Sequence, residues 1–411
     1  MLTETLSGGS LSHQVINRLF ADGRITETDR AFIVSLYLGV LERLVFLDYN
    51  IAAFSDTAPD KIKPVIKNIL RLSLYQLFFM DGVPDRAALS EALKLVQLRK
   101  MPQLKGYVNG VLRTAQRNGP VKNAPAYADL SVPEWIYEKA LSDLGKERAD
   151  EFFAAALKKD EGLYAFVNTR LADKERVLKE LEAEGAQAQA EGDILNIKFS
   201  GALEELGAFK KGYIYIQSPN SMKAAQEALK WYKGPEDPFI IDTCASPGGK
   251  SVNLSLAFPE GTVISRDKSA EKIRLIEQNI KRLKLSNINV QVKDACTAEK
   301  EDSQSADIVM VDAPCSGLGV ISGKPDIKYR LKKTDIDELS KLQREILRVS
   351  SACVKAGGIL IYSTCTFTEE ENGENARRFC EECGFKLLSS TQYTMYKERA
   401  DGFYVSAFAK N

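Results

Sequence analysis

Apolar and polar residues follow three successive rhythms along this chain, and each predicts a different architecture. Up to about residue 118 the apolar positions recur at three- and four-residue steps. In "KIKPVIKNILRLSLYQLFFM" (61–80), Ile62, Val65, Ile69 and Leu72 share one face of a helix. Pro64 suits the first turn of that helix, where no backbone N–H is needed. "DGVP" (81–84) breaks the pattern, and Ala88–Leu98 resumes it with Leu89, Leu93 and Val96 on one stripe. An all-α bundle is therefore expected over residues 1–125.

The second rhythm is weaker. "RNGPVKNAPAYADLSVPEW" (117–135) is rich in Pro, Gly and Asn and reads as a linker. Beyond it, 135–160 reads as helix. "AFVNTR" (165–170), a Glu/Lys-rich helix at 173–184 and "DILNIKFS" (193–200) follow. "GYIYIQSPNSMKAAQEAL" (212–229) then alternates like a strand and runs into a helix. Residues 126–232 are expected to hold this linker and a small α/β module.

From about residue 238 short apolar runs alternate with helical stretches. "FIIDTCA", "GTVISRD", "NINVQVKDA", "ADIVMVDAP" and "GGILIYSTC" read as strands, and 269–284 and 335–354 as two of the helices between them. This alternation predicts an open parallel sheet with helices on both faces over residues 233–411. Ligands of such sheets bind beyond the carboxyl ends of the strands.

Composition narrows the function. A chain of 411 residues is too long for one ordinary core and suggests two or three domains. It is 44% hydrophobic, 27% charged and formally neutral, so it is no polycation. Charge is nevertheless segregated: residues 1–125 hold 16 Lys+Arg against 11 Asp+Glu. Lys94, Arg99, Lys100, Lys105, Arg113, Arg117 and Lys122 form a run without an acidic residue. That block is either a nucleic-acid footprint or a solvated helix face. No secretory signal opens the chain and no run is long and apolar enough to span a bilayer, so a cytoplasmic protein without membrane contact is expected.

Seven cysteines, an odd number, point to free thiols. Cys380 and Cys383 make a lone CxxC, and with a single histidine (His13) no metal site is expected; helix packing explains that pair. The same scarcity of histidine argues against Ser-His or Cys-His chemistry. Catalysis must rest on Cys, Asp, Glu, Lys or a cofactor.

"DTCASPGGKS" (242–251) follows the first strand of the sheet and opens a helix, where glycines allow close backbone approach to a ligand. It has neither the GxGxxG nor the GxxxxGK[ST] spacing, which disfavours a dehydrogenase. Asp267 at the end of the second strand is placed to accept hydrogen bonds from ribose hydroxyls, and Asp294 is read at the end of the third. Turn or cap roles explain either acid alone; together with Asp242 they favour a nucleoside ligand. "VDAPCSGLGV" (311–320) closes the fourth strand with Asp312 and Cys315, and "YSTC" closes the fifth with Cys365. Cys244, Cys296 and Cys353 read as packed thiols. Cys315 and Cys365 do not, because both stand in Gly/Ser/Thr surroundings beyond a strand.

"CASPGGK", "DAPCSG" and "YSTC", in this order, resemble the RNA cytosine-C5 methyltransferases that use S-adenosylmethionine. "GKPDIKYR" (323–330), "EEEN" (369–372) and "DGFY" (401–404) fit the same family. "DRAF", "ILRLSLYQLFFMDGVP" and "GYVNGVLR" resemble the NusB-like RNA-binding domain. The combination is similar to the bacterial small-subunit (16S) ribosomal RNA methyltransferases of the Sun/Fmu, RsmB-like group. The resemblance implies a NusB-like all-α bundle, a small RRM-like α/β module and a Rossmann-like class I methyltransferase domain. It implies Cys365 as nucleophile, Cys315 in product release and Asp312 on the cytosine edge and beside the cofactor. Cys244, Ala245, Ser246, Pro247, Gly248, Gly249 and Lys250 would cradle the methionine part of S-adenosylmethionine, with Asp267 on its ribose and Asp294 near its adenine.

The chain departs from the family at Ser246 and Ser251 and at "QSPNS", where Ser218 replaces an acid. DNA cytosine methyltransferases attack with a Pro-Cys thiol that Pro314-Cys315 resembles, so either cysteine could be the nucleophile at this stage. Lys324, Lys328, Arg330, Lys332 and Lys333 are expected to hold the RNA backbone. The expected partner is 16S ribosomal RNA before full subunit assembly, bound by a monomer. A non-catalytic RNA-binding assembly factor and a transfer-RNA methyltransferase are the alternatives.

Overall fold

The computed structural model describes every residue except Asp22, Arg24, Lys159–Glu161, Ser200 and Asn411. The end of the helix expected over 135–160 and the last residue of "DILNIKFS" lie outside the described residues. The chain forms two compact units, Met1–Leu157 with Ile321–Leu331, and Lys158–Val320 with Lys332–Asn411.

The first unit is helical. Its core is built by the helices Glu27–Glu42, Leu44–Phe54, Pro64–Phe79, Asp85–Leu98 and Lys105–Asn118, through Leu41, Leu47, Ile51, Leu70, Leu74, Val96 and Leu112. Pro64 does occupy the first turn of its helix. That helix is more deeply buried than one stripe predicts: Ile66, Leu70 and Leu74 join Ile69 in the core, whereas Val65 and Leu72 are only partly covered.

The expected linker instead belongs to this unit. Asn50 Oδ1 accepts from Val121 N at 2.8 Å, Phe46 N donates to Ser131 Oγ at 3.3 Å, and Val132 is fully buried. Such single polar contacts to a neighbouring helix leave no periodic trace in sequence, which is why the segment looked unstructured. The unit therefore extends past the boundary expected at residue 125, and the helices Glu134–Leu144 and Lys146–Ala156 complete it.

The segment Ile321–Leu331 is the second difference, since the chain leaves the sheet after residue 320 and packs into the helical unit. Lys328 Nζ donates to Glu42 O at 3.0 Å and to Ser131 O at 2.8 Å, and Tyr329 Oη donates to Leu41 O at 2.7 Å. Leu41 and Glu42 end the helix Glu27–Glu42, so these side chains satisfy carbonyls that lack intrahelical partners. Asp326 accepts from Ser12 Oγ and pairs with Arg330 at 3.1 Å. Lys328, 4% exposed, is thus a structural lysine and not the RNA contact expected of it, and Arg330 is engaged by Asp326. Lys324, Lys332 and Lys333 are exposed.

The second unit begins with a four-stranded antiparallel sheet of order β2-β3-β1-β4: β1 (Leu163–Val167), β2 (Gln187–Glu191), β3 (Ile194–Lys198) and β4 (Ile214–Ile216). With helices Lys174–Ala183 and Gly207–Lys210 this is a split βαβ arrangement. One sheet face packs Ala165, Val167, Leu195, Ile197 and Ile214 against Val177 and Leu181. From the other, Phe166 and Tyr215 enter the core of the larger sheet, so these aromatics are not free to stack bases as on an open RNA-binding sheet. Arg282 fastens the junction. Its guanidinium lies 3.8 Å from the Phe209 ring centre and donates to Phe209 O and Ile214 O at 2.9 and 3.0 Å. The module thus continues the second unit across the boundary expected at residue 232.

The larger sheet contains all five expected strands: β5 (Phe239–Asp242), β6 (Thr262–Asp267), β7 (Ile288–Val292), β8 (Ala306–Asp312) and β9 (Val354–Thr364). They pair in parallel, and β10 (Lys386–Tyr396) and β11 (Arg399–Ala409) add an antiparallel edge, giving the order β10-β11-β9-β8-β5-β6-β7. The direction of winding reverses between β5 and β8, which opens a crevice at their carboxyl ends. Among the described residues no helix is long and apolar enough to cross a membrane.

Candidate active site

At this switch point, β5 delivers Asp242 to a turn that runs into the helix Gly249–Ala257. Gly248 has φ +106°, a conformation that disfavours any side chain, and its N–H donates to Ala245 O at 2.6 Å. A Cβ on Gly249 would come within 3.1 Å of Tyr215 Oη, so the turn is close-packed as well as bent. Ala245 N is tied to Arg266 O at 2.7 Å, and Asn279 donates to Pro247 O at 3.1 Å. Cys244 follows in the same turn, its thiol pushed up by burial, as expected of a packed thiol.

Asp242 is fully buried. Its Oδ2 accepts from Ser251 Oγ at 2.6 Å, Ser265 Oγ donates onward to Ser251 Oγ at 2.7 Å, and its Oδ1 has no hydrogen-bond partner among the described residues. Burial pushes its carboxyl up to about 7. An unsatisfied buried acceptor beside a strained glycine turn suits a ligand that brings a hydrogen-bond donor, such as the amino group of S-adenosylmethionine. Ser251, one of the departures from the family pattern, therefore supports this turn.

Asp267 ends β6, is 7% exposed, and accepts from Ser269 N at 2.9 Å, which leaves Oδ2 only a 3.7 Å contact with Lys272. Asp294 does not end its strand. β7 stops at Val292, and Asp294 is exposed two residues further on, accepting from Cys296 N at 2.9 Å. Both acids make local turn bonds, and both remain on the carboxyl edge of the sheet.

Asp312, Cys315 and Cys365 lie on the other side of the switch point. β8 ends in Asp312 and the chain turns to Cys315; β9 ends at Thr364 and the next residue is Cys365. The two sulfurs are 3.2 Å apart, and Cys365 N donates to Cys315 Sγ at 3.3 Å. Residues fifty positions apart thus meet because β8 and β9 are parallel neighbours, with Asp312 opposite Ser363.

Asp312 is held from both oxygens, by Lys250 Nζ at 2.7 Å and Ser363 Oγ at 2.8 Å. Lys250 also donates to Ser221 Oγ at 2.9 Å and lies 5.4 Å from the centre of the Phe403 ring. Burial lowers this ammonium's affinity for its proton, but Asp312, and then Cys365 and Asp242, more than offset it, and the group is held above the usual lysine range. Cys315 is pushed well above an ordinary thiol, first by its hydrogen bond to Cys365, then by burial and by the charges of Cys365 and Glu371.

The structure also brings in residues that the sequence did not single out. Ser221 accepts from Gln217 Nε2 at 2.9 Å as well as from Lys250, and Gln217 Oε1 accepts from Asn253 at 2.7 Å. Ser218 Oγ accepts from Ser221 N at 3.4 Å and donates to Asp401 Oδ1 at 2.6 Å, while Asn220 N donates to Asp401 Oδ2 at 2.9 Å. The one available signal was that "QSPNS" and "DGFY" are both small polar motifs; nothing in their spacing shows that they meet. Cys296, Cys353, Cys380 and Cys383 border the apolar core around Leu347 and Phe379, in agreement with a packing role. Among the described residues, no cluster of His, Cys, Asp and Glu could hold a metal ion.

Comparison with known proteins agrees with this architecture. Residues 4–117 match the NusB family, and residues 230–408 match the 16S rRNA methyltransferase RsmB/F family. A probable ribosomal RNA small subunit methyltransferase B of Bacillus subtilis is 34% identical over 90% of this chain and 84% of its own length. The ribosomal RNA small subunit methyltransferase B of Escherichia fergusonii is 28% identical over 94% of this chain and 92% of its own. Among solved structures, PH0851 superposes with a TM-score of 0.80 at 25% identity, over 99% of this chain and 96% of that one. NSun6 from Pyrococcus horikoshii, solved with SFG, superposes at 0.60 and 24% identity over 68% of this chain and 98% of its own, a likeness of fold. With a NusB-family helical unit, a methyltransferase sheet and this degree of identity along nearly its whole length, the chain belongs to the RsmB/F family of RNA methyltransferases.

Proposed function

We propose that this enzyme methylates C5 of cytosine in small-subunit (16S) ribosomal RNA through a transient bond between Cys365 and C6 of the base. The observation that carries the reading is the pair of thiols 3.2 Å apart beside the Lys250–Asp312 ion pair. C5 of cytosine is a poor nucleophile until a thiolate adds at C6. That addition forms the S–C6 bond and moves the C5=C6 electron pair towards C5. Asp312, ion-paired with Lys250, offers carboxylate oxygens suited to accept from the cytosine N4–H. Lys250, ion-paired with Asp312, brings a cation to this site.

S-adenosylmethionine supplies the methyl group. On this reading the backbone of Cys244, Ala245, Ser246, Pro247, Gly248 and Gly249, with Lys250, Asp242, Asp267 and Asp294, holds it. Release then needs the C5 proton removed, so that the C–H pair forms C5=C6 and the sulfur of Cys365 departs with the C6–S pair. Cys315 is the group in reach. Its sulfur is 3.2 Å from that of Cys365, and after giving its own proton to solvent it accepts the one from C5.

The likeness to ribosomal RNA small subunit methyltransferases supports a ribosomal substrate, and the exposed basic run around Arg99, Lys100, Arg113 and Arg117 suits phosphate contacts. The target base must leave its stack to reach sulfurs at the foot of this crevice, which favours an unpaired or loosely paired cytosine. The expected outcome is that Cys365→Ala loses methyl transfer while retaining the cofactor in calorimetry, and that Cys315→Ala accumulates a protein–RNA adduct stable on a denaturing gel. Full turnover by Cys365→Ala refutes the mechanism, and an adduct from Cys365→Ala but not Cys315→Ala exchanges the two roles. Bisulfite sequencing of ribosomal RNA from cells with and without the protein tests the substrate; an unchanged map moves it to another RNA.

A further inference from the structure

Glu371 is fully buried, and among the described residues no Lys or Arg pairs with it. Four neutral donors satisfy its carboxylate instead. Oε1 accepts from Ser316 N at 2.8 Å and Gln343 Nε2 at 2.9 Å; Oε2 accepts from Ser316 Oγ and from Thr368 Oγ1, each at 2.6 Å. A carboxyl group removed from water is costly unless its lone pairs are so occupied. Four donors converge on one buried carboxylate, so what it holds together requires an explanation.

The partners supply one. Ser316 follows Cys315 and Thr366 follows Cys365, and their hydroxyls are 2.8 Å apart. Glu371 binds both the backbone and the hydroxyl of Ser316, so it fixes the Cys315 loop in position and orientation. Through the Ser316–Thr366 contact it fixes that loop against the residue that carries the other thiol. Gln343 donates to Pro314 O at 2.9 Å as well as to Glu371, which anchors the loop from its other end.

We propose that Glu371 is a positioning residue that sets the distance and alignment of the two thiols, and that the step it serves is release of the methylated base with the help of Cys315. This inference rests on the two-thiol reading above. Attack needs only Cys365, which follows directly from β9; release needs Cys315, on a loop held by the carboxylate, at the right distance from an adduct on Cys365.

The test is Glu371→Gln, which keeps the size but removes the charge and one of the two acceptor oxygens. Purified full-length variant, S-adenosylmethionine and ribosomal RNA transcript are mixed, and adduct and methylated product are followed separately. The expected result is adduct formation at a rate within about threefold of wild type, a fall in turnover of at least tenfold, and adduct accumulation as in Cys315→Ala. The double variant Cys315→Ala/Glu371→Gln should be no slower than Cys315→Ala alone, since both act on one step. Wild-type turnover by Glu371→Gln, while Cys315→Ala traps the adduct, overturns the positioning role and leaves the two-thiol mechanism standing. Failure of Cys315→Ala itself to trap an adduct removes both. If Glu371→Gln does not fold, Ser316→Ala, which keeps the carboxylate and loses one hydroxyl, should shift the balance towards adduct; an unchanged ratio overturns the role.

Discussion

Replacing Lys328 by Met tests the assignment of segment 321–331 to the helical unit. The ammonium is buried beside the C-terminal carbonyls of the helix Glu27–Glu42, with no carboxylate bonded to it among the described residues. Burial pushes its pKa down to about 7, and the nearby charges of Glu42 and Arg43 oppose one another. In the unfolded chain a lysine titrates near 10.4. Below about pH 7 both states carry the proton and the folded state bears the full cost of burying it. Between about pH 7 and 10 the folded state sheds the proton first, the unfolded state binds more protons, and stability rises with pH.

Each pKa unit is worth about 1.36 kcal/mol, so this lysine should stabilise the wild type by about 2–3 kcal/mol on going from pH 6 to pH 9. The methionine variant has no such slope. It leaves Glu42 O and Ser131 O without this donor, at roughly 1–3 kcal/mol each, but that offset is the same at both pH values. Urea unfolding in a Trp231→Phe background, where Trp135 alone reports the helical unit, measures the difference between wild type and variant. The gap should move by about 2–3 kcal/mol in favour of wild type as pH rises. A gap constant to within about 0.5 kcal/mol from pH 6 to 9 would show that Lys328 is solvated and that the segment is not packed as described.

Three further outcomes are expected. Lys250→Met should lower kcat on the order of a hundredfold, because Asp312 loses its ion-pair partner and one of the two groups that orient it. Gly319→Ala should cost about 1–3 kcal/mol in urea unfolding and most of the activity, since its Cβ would lie 2.1 Å from Gly402 O and 2.8 Å from Cys365 O. Arg282→Met should loosen the small module by roughly 2–4 kcal/mol, read as faster limited proteolysis within residues 163–216, because two backbone carbonyls and a stacked ring lose their partner.

What the sequence disclosed depended on whether the cause was local. Strands β5 to β9 were legible because each is a short apolar run between turn residues, and Cys315 and Cys365 because a thiol in Gly/Ser/Thr surroundings beyond such a run is poorly explained by packing. β10 was not: "KLLSSTQYTMY" lies at the sheet edge, keeps many polar positions and carries register shifts, so no period survives. Lys328 could not be told from Lys324 or Lys332, because the same residue type was buried or exposed by contacts with Glu42 and Ser131, far away in the chain. Asp294 looked like a strand end because the polar residues of β7 hide where pairing stops. Glu371 stood among two other glutamates, and only the fold distinguishes the buried one from Glu369, which pairs with Arg377.

Two identical side chains 3.2 Å apart can have different roles only if their surroundings differ. Here they do, in stiffness. Cys365 follows directly from a central strand. Cys315 stands on a loop that the Glu371 carboxylate ties through Ser316 and that Gln343 anchors at Pro314 O. On this reading attack belongs to the thiol on the strand and release to the thiol on the buttressed loop, so loosening that loop should slow release and spare attack.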